Sequence, residues 1–290
     1  MKKIIDLHVH SNISDGTLTP KEIVNLAIKD NISAVALTDH DSVEGVKALS
    51  IEATKNNLKF LTGIEISCEY GKGRILHLLG LGIDIDNVKF IKPYEEMKEA
   101  RELGVNVVLK FIKNKGIDLT LDDLKELATN KYIDRYTIHR YFIKNNICNN
   151  AQEVWDKYLD PVPYEKGELI KVEDAIRIIK ESGGVSILAH YNKKIGLYGY
   201  TESEKEEYIK YLVGKGLDGV ERYYPSFTNN DYKFLDYIIN KYSLVYSGGS
   251  DFHGENREDI KLGIGNGDLS IEYKVYENII EKIRRNRRNL

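Results

Sequence analysis

The sequence has few cysteines, no long apolar run and no large excess of charge. Only Cys68 and Cys148 occur among 290 residues, so we expect no disulfide framework and predict a reducing, cytoplasmic location. No segment approaches about 18 consecutive apolar residues, and the polar start of the chain does not resemble a signal peptide, so no membrane association is expected. The formal net charge of −3 excludes a global basic field for long nucleic acid. A phosphorylated ligand would need a local positive site, and nothing indicates an obligatory protein partner.

Short apolar runs alternate with amphipathic segments over most of the chain. One amphipathic segment, "TLTPKEIVNLAIKDN", predicts a helix that begins after Thr19, with Glu22 completing a capping box. Another, "DSVEGVKALSIEATKNN", predicts a helix capped by Asp41. The alternation indicates a parallel sheet with helical crossovers. About seven strands over this length favour a closed or nearly closed (β/α)7 barrel, with an open sheet as the alternative. The seven predicted strands lie in "KIIDLHV", "ISAVALTDH", "LKFLTGIEIS", "RILHLLGLGI", "GVSILAH", "LDGVERYY" and "LVYSGGSDFHG".

One stretch interrupts this alternation. Residues 93–166 contain four helix-like segments with no strand between them, so we predict an all-helical insertion. The predicted organisation is therefore an α/β barrel domain, residues 1–92 and 167–290, that carries a helical cap of residues 93–166.

Histidines and carboxylates recur at the ends of the predicted strands. His8 and His10 project from one face of the first strand, because strand residues two apart share a face. In parallel α/β folds the C-terminal strand ends form one rim, where active sites are built. Burying many polar groups together is costly unless something pairs them, and a metal ion does so directly, which favours a metal centre. The residues expected at the rim or in its loops include six of the seven histidines: His8, His10, Asp15, His40, Glu65, His77, His190, Asp251 and His253.

The order of these motifs resembles the polymerase and histidinol phosphatase (PHP) family of metal-dependent phosphoesterases. The resemblance implies a distorted seven-stranded β/α barrel, in agreement with the strand count. The helical insertion makes the chain similar to the subgroup that acts on nucleoside 3',5'-bisphosphates and short 5'-phosphorylated RNA. The motifs, in order from Ile5 to about Gly263, are "DLHVHSNISDGTLTP", "AVALTDHDSVEG", "GIEIS", "ILHLLG", "GGVSILAH" and "GGSDFHG".

The same resemblance implies two or three divalent ions and a division of the ligands between them. Histidine and carboxylate ligands without cysteine suit Mn²⁺, Zn²⁺ or Fe²⁺. Cys68 is expected to pack as a small apolar side chain rather than to bind metal. One ion would be held by His8, His10 and Asp251, a second by His77 and His190 with Glu65 bridging it to the first, and a third by Asp15, His40 and His253.

Metal ions would invert the local charge in favour of phosphate. The three carboxylates contribute three negative charges, so two divalent ions leave the cluster net positive. We expect a water between two ions to lose a proton near neutral pH and to attack phosphorus in line. The predicted catalytic residues are Asp15, His40, Glu65 and His253, with His253 as a candidate general acid.

Basic residues outside the rim are predicted to contact phosphate. These are Arg135, Lys193 and Arg222. Two positions depart from the family pattern, because Thr137 stands where the family often has histidine and Lys193 where it has arginine, which offers bidentate contacts. The remaining histidine, His139, is expected on a helix surface.

The predicted function is metal-dependent hydrolysis of a phosphate ester in a small nucleotide or short oligonucleotide. Three alternatives remain: a histidinol-phosphate-type phosphatase, an amidohydrolase, and a non-catalytic PHP module that keeps metals for stability.

Overall fold

The computed structural model describes residues 3–71, 73–129 and 132–290. The strands are β1 (Ile4–Val9), β2 (Ile32–Leu37), β3 (Lys59–Leu61), β4 (Gly63–Glu69), β5 (Ile75–Leu81), β6 (Ile170–Lys171), β7 (Val185–Leu188), β8 (Gly219–Tyr223) and β9 (Val245–Gly248). The helices are α1 (Pro20–Lys29), α2 (Val46–Lys55), α3 (Val88–Asn114), α4 (Leu121–Lys125), α5 (Arg135–Lys144), α6 (Ala151–Val154), α7 (Val172–Glu181), α8 (Glu202–Gly214), α9 (Asn229–Tyr242) and α10 (Tyr273–Arg288). A π-helical turn spans Trp155–Leu159 and a 3₁₀ turn spans Gly254–Arg257. Within that part of the chain, no helix has the length and apolar character needed to cross a membrane.

Local sequence signals account for the start of α1 but not for that of α2. Thr19 caps α1, and Glu22 completes the predicted capping box. The predicted cap at Asp41 is wrong, because α2 begins at Val46 without a side-chain cap. The Asp41 carboxylate instead accepts hydrogen bonds from the Ser67 backbone N–H at 2.8 Å and from its hydroxyl at 2.7 Å.

The strands form two sheets, so the α/β class is confirmed but the simple seven-stranded alternation is not. One sheet has three parallel strands in the order β1-β2-β3, and the other has six in the order β6-β4-β5-β7-β8-β9. Isolated bridges join the sheets at Val9–Phe252 and at His40–Glu65. The predicted strand "LKFLTGIEIS" divides into β3 and β4, which belong to different sheets.

Strand β5 is antiparallel to both of its neighbours, β4 and β7. The connection from β4 to β5 is a short turn in which the Tyr70 N–H donates to the Arg74 carbonyl. Parallel neighbours would need a crossover of a dozen or more residues, which this connection cannot provide. The expectation of an all-parallel sheet is therefore wrong at this strand.

Helices α3 to α6 follow β5, and the described residues among them, up to 129 and from 132 onward, form no strand. They share an apolar core that includes Val105, Val108, Ile112, Ile138 and Phe142. Helix α3 begins before Pro93 and continues through it. The all-helical character predicted for this stretch agrees with these elements, whereas the domain limits remain a prediction. Residues 130 and 131 of the predicted insertion lie outside the described residues.

Candidate metal centre

Glu65 lies at the middle of the histidine cluster and is fully buried. Its Oε1 lies 3.0 Å from His77 Nδ1 and 2.9 Å from His190 Nε2. Its Oε2 lies 3.2 Å from His8 Nε2 and from His10 Nε2, and 3.1 Å from His40 Nδ1. One carboxylate therefore faces five imidazoles that come from distant parts of the chain.

Asp251 and Asp15 lie on two sides of this centre. Asp251 Oδ1 is 3.4 Å from His8 Nε2 and 3.1 Å from His10 Nε2. Asp15 Oδ1 is 3.3 Å from His253 Nε2 and 3.9 Å from His10 Nδ1. All nine residues predicted as metal ligands are therefore brought into one cluster.

Three groups within the cluster have ligand atoms close enough to share an ion, all within 4.8 Å of one another. They are His8, His10, Glu65 and Asp251; His10, Asp15, His40 and His253; and His40, Glu65 and His77. The first group has the composition implied by the family resemblance, including the bridging Glu65. The third differs in that His40 accompanies Glu65 and His77, while His190 contacts Glu65 from outside the group.

The fold explains how these residues meet. His8 and His10 share a face because they are two residues apart at the end of β1. His77 lies near the start of β5 rather than at its end, because β5 is antiparallel to β4 and β7. His190 and Asp251 have positive φ angles of 21° and 55°, which are uncommon for residues with a Cβ atom. Residues with such strained backbone conformations are concentrated at functional sites.

The electrostatics of the cluster couple its acids and bases strongly. Burial lowers the pKa of His10, but the Asp251 and Glu65 carboxylates outweigh burial and raise it to about 10. Burial raises the pKa of Asp15, but His253 and His40 hold it well below its usual range. Metal ligands must be deprotonated, so ion binding here would release protons.

The donor set fits divalent metal ions. His8 Nε2, both ring nitrogens of His10, His40 Nδ1, Asp15 Oδ1 and Glu65 Oε2 are buried and have no hydrogen-bond partner among the described residues. Unpaired buried polar atoms are costly, and so many in one place indicate a missing partner of positive charge. Nitrogen and oxygen donors without sulfur are suited to Mn²⁺, Zn²⁺ or Fe²⁺.

Glu221 orients one of these histidines, a role that the sequence analysis did not assign. Its Oε1 accepts a hydrogen bond from His8 Nδ1 at 2.8 Å, which leaves His8 Nε2 facing the cluster. Its Oε2 accepts from the His190 backbone N–H at 2.8 Å. Carboxylates that fix the tautomer of a ligating histidine are common around metal ions.

A cavity of about 1660 Å³ opens onto the cluster. Asp15, His40, His190 and Asp251 line it on one side, and Tyr136 and Trp155 line it from the helical stretch. The cluster is therefore accessible to a small molecule that enters this cavity.

The three residues predicted to contact phosphate differ in their position relative to the cavity and in their hydrogen-bond partners. Lys193 lines the cavity, and its Nζ donates to Ser226 Oγ. Arg135 does not line it and is buried, and its guanidinium donates to the carbonyl groups of Leu159, Val162 and Pro163. The Nη1 and Nη2 donors of Arg135 therefore hold the segment that follows α6, and a phosphate contact at Arg135 stays a prediction.

The guanidinium of Arg222 is bound to another side chain. Its Nε and Nη2 form a bidentate ion pair with the Asp236 carboxylate at 2.6 Å and 2.9 Å, and it does not line the cavity. A neighbouring helix thus already supplies an anion to Arg222, and a phosphate contact there stays a prediction.

Two further residues lie at the cavity in ways the sequence did not indicate. His139, expected on the surface, is 1% exposed and lines the cavity, and burial lowers its pKa to about 4. Arg257 also lines the cavity, and its Nη1 lies 2.7 Å from Asp251 Oδ2. Its position four residues after His253 was the only available signal.

Cys68 is buried in the apolar core, as expected.

Comparison with known proteins shows which family the chain resembles. The model of the PHP domain matches residues 6–261. A 5'-3' exoribonuclease of Haemophilus influenzae is 30% identical over 255 residues, covering 87% of this chain and 91% of that protein. A 3',5'-nucleoside bisphosphate phosphatase of Chromobacterium violaceum is 29% identical over 261 residues, covering 88% of this chain and 90% of that protein.

A solved structure supports the same fold. The crystal structure of a candidate metal-dependent phosphoesterase from Bifidobacterium adolescentis superposes with a TM-score of 0.82 at 21% identity, covering 97% of this chain and 96% of that one. At this identity the likeness concerns the fold alone. The motifs, the match over most of the chain and the curated relatives together confirm the resemblance noted from the sequence: the chain belongs to the PHP domain family.

Proposed function

We propose that this protein is a metal-dependent hydrolase of phosphoric esters that acts on a small nucleotide or a short 5'-phosphorylated oligonucleotide. The observation that carries the proposal is the cluster of buried nitrogen and oxygen atoms around Glu65, several of them without a hydrogen-bond partner, beside a large cavity. The names of the two curated relatives, a 5'-3' exoribonuclease and a 3',5'-nucleoside bisphosphate phosphatase, support the same reaction class and substrate type.

Two or three divalent ions would be held by the cluster. Bound there, such ions supply an activated water nucleophile and neutralise charge that develops on the phosphate oxygens. The proposed ligands are His8, His10, Asp15, His40, Glu65, His77, His190, Asp251 and His253. Manganese, zinc and iron all suit this donor set, and the metal content of the purified protein distinguishes them.

The chain's own groups would position the substrate and move protons. Glu65 faces five imidazoles and would contribute its carboxylate to holding the ions. Asp15 and His253, 3.3 Å apart, face the cavity. Because His253 Nδ1 contacts the Asp251 carbonyl, His253 Nε2 would serve either as a metal ligand or as the proton donor to the leaving oxygen, but not as both. Lys193 offers a positive charge to the phosphate from the cavity wall. The aromatic side chains of Tyr136 and Trp155 would restrict water from the helical side.

The domain division belongs to the same proposal. Residues 1–92 and 167–290 would form a distorted barrel that carries the ligands, and residues 93–166 would form a cap over the cavity. The bridges Val9–Phe252 and His40–Glu65, which join the two sheets, support a barrel-like closure.

An activity assay on matched substrates tests the proposal. Manganese-supplemented protein is incubated with a nucleoside 3',5'-bisphosphate, a short 5'-phosphorylated RNA and histidinol phosphate, and released phosphate and nucleotides are measured. We expect turnover of the bisphosphate or the RNA that is abolished by chelation and by His10→Ala. The exposed variant Lys274→Ala, on α10, serves as the control that should retain full activity.

Each alternative function predicts a different result in this assay. Preferential turnover of histidinol phosphate would favour the histidinol-phosphate branch. Failure on all three substrates, together with hydrolysis of an amide or lactone, would favour an amidohydrolase. Failure on every substrate, with Asp15→Ala lowering only the melting temperature, would favour a metal-stabilised module.

A further inference from the structure

Arg257 contacts Asp251, a carboxylate that also belongs to the proposed metal centre. It ends the 3₁₀ turn that follows His253, and its Nη1 is 2.7 Å from Asp251 Oδ2. The other oxygen of the same carboxylate, Oδ1, faces His8 and His10. Because the Arg257 side chain is 33% exposed and lines the cavity, a ligand in the cavity can reach it.

A second cation approaches the same place from another loop. Lys193 follows β7 and lines the cavity, and its Nζ lies 5.3 Å from the centre of the Tyr224 ring. The Tyr224 hydroxyl donates to Asp251 Oδ2 at 2.8 Å, the oxygen that also contacts Arg257. The two cationic side chains are therefore gathered around one tyrosine beside Asp251.

Bringing two positive charges together is unfavourable unless an anion lies near both of them. Burial is the main cause that lowers the pKa of Lys193 and the Arg257 charge is the next, in agreement with the position of both side chains beside Tyr224 and Asp251. Asp251 balances one of these charges, but it also faces the histidines of the proposed metal centre. Asp231 also acts on Lys193 and Asp259 on Arg257, so in the described part of the chain Asp251 is the one carboxylate that acts on both cations beside the cavity.

Arg257 also has hydrogen-bonding capacity to spare. A guanidinium carries five N–H donors in a planar fork. Both of its hydrogen bonds to Asp251 use the same nitrogen, Nη1. The guanidinium also interacts with the Tyr224 hydroxyl, and its remaining donors are suited to the directed contacts that arginine makes with phosphate.

We propose that Arg257 and Lys193 form an anion subsite that binds a phosphoryl group next to the metal centre. Arg257 supplies directed hydrogen bonds, and Lys193 supplies a point charge from the opposite loop. The assignment rests on the proposed function, since it names the residues that hold the phosphate in that reaction. Arg257 takes the role that the sequence analysis had given to Arg135 and Arg222.

Binding of inorganic phosphate to the manganese-loaded protein tests the subsite without any turnover. Isothermal titration calorimetry is performed on the wild type, Arg257→Gln, Arg257→Lys and Lys193→Gln. Loss of a charged hydrogen-bond partner predicts about ten- to hundredfold weaker phosphate binding in Arg257→Gln, with a smaller loss in Arg257→Lys. Arg284→Gln, on the exposed face of α10, is the matched control and should bind phosphate like the wild type.

Manganese affinity separates a role of Arg257 in binding phosphate from a purely structural role. If Arg257 only braces Asp251, manganese affinity will fall in step with phosphate affinity in Arg257→Lys, while Lys193→Gln will bind phosphate normally; this result would overturn the proposal. The subsite predicts manganese affinity within a few-fold of wild type in Arg257→Lys and Lys193→Gln, with phosphate binding weakened in both. Unchanged phosphate binding in Arg257→Gln would also overturn it.

Steady-state kinetics then identify which phosphoryl group occupies the subsite. The variants are compared on a nucleoside 3',5'-bisphosphate and on the corresponding 3'-monophosphate. A rise in KM for the bisphosphate alone assigns the subsite to the second phosphate, and equal losses on both substrates assign it to the phosphate under attack. A protein that binds phosphate through these residues but turns over neither nucleotide would retain the subsite and refute the proposed substrate.

Discussion

Replacing Glu221 by glutamine tests how far the metal centre depends on groups behind the ligands. Glu221 is fully buried on β8, and its two oxygens have separate partners. Oε1 accepts from His8 Nδ1, and Oε2 accepts from the backbone N–H of His190. A glutamine has one oxygen and one NH₂ group, so it can satisfy only one of these donors and turns an N–H toward the other.

The expected magnitude follows from these two contacts. A hydrogen bond to a charged group contributes about 1.5–3 kcal/mol, and the substitution removes or weakens one such bond to His8 or His190. Changing a residue that orients a metal ligand costs roughly 10- to 100-fold in metal affinity, which is about 1.4–2.7 kcal/mol. Since the two ranges agree, we expect Glu221→Gln to bind manganese about 10- to 100-fold more weakly.

The assay is calorimetric titration of chelator-stripped protein with Mn²⁺, with Glu277→Gln as the control. Glu277 is half-exposed on α10, far along the chain from the cluster, and its substitution should leave manganese affinity unchanged. Glu221→Asp keeps the charge but shortens the side chain, and it should fall between the wild type and Glu221→Gln. Wild-type manganese affinity in Glu221→Gln would refute the reasoning that this carboxylate orients His8 for metal binding.

Three further predictions concern stability. Removing metal with a chelator should lower the melting temperature, and Mn²⁺ at about 100 times its Kd should restore roughly 2.7 kcal/mol; a melting temperature independent of Mn²⁺ in calorimetry would contradict this. Arg140→Met should cost about 2–3 kcal/mol in urea unfolding, because the Arg140 guanidinium donates to the carbonyls of Ile13 and Ser14 in the loop before Asp15; an unchanged unfolding midpoint would contradict it. Asp134→Asn should cost about 3–5 kcal/mol at pH 7, because it leaves the buried Lys98 ammonium without its 3.0 Å partner. Burial raises the pKa of Asp134, but Lys98 outweighs burial and lowers it from 3.8 to about 2. The stabilisation is therefore present above pH 4 and lost as pH falls toward 2, so the wild type and Asp134→Asn should converge over that range in urea unfolding.

The ligand cluster could be predicted from the sequence because its signals are local. His8 and His10 follow the two-residue period of a strand, and the "DFH" of Asp251 and His253 follows another strand. The rule that strand ends share a rim then brings such pairs together without knowledge of any particular contact. The helix start at Thr19 is predictable for the same reason, since its capping box lies within four residues.

The parts that could not be predicted depend on contacts between distant residues. The direction of β5 follows from pairing with β4 and β7, which a pattern of apolar residues does not encode. Arg135 and Arg222 carry the charge expected of phosphate ligands, but Arg135 donates to backbone carbonyls after α6 and Arg222 forms an ion pair with Asp236 on α9. His139 lies on a helix whose sequence does not reveal that its face turns toward the cavity.

The central claim is that His8, His10, Glu65 and their neighbours gather to hold divalent metal ions. Anomalous diffraction from crystals of the manganese-reconstituted protein, recorded near the manganese absorption edge, tests this most directly. The account predicts at least two anomalous peaks within the cluster, one of them coordinated by His8, His10 and Asp251. A map without a peak among these residues, from protein shown to be fully folded and supplied with excess Mn²⁺, would contradict it.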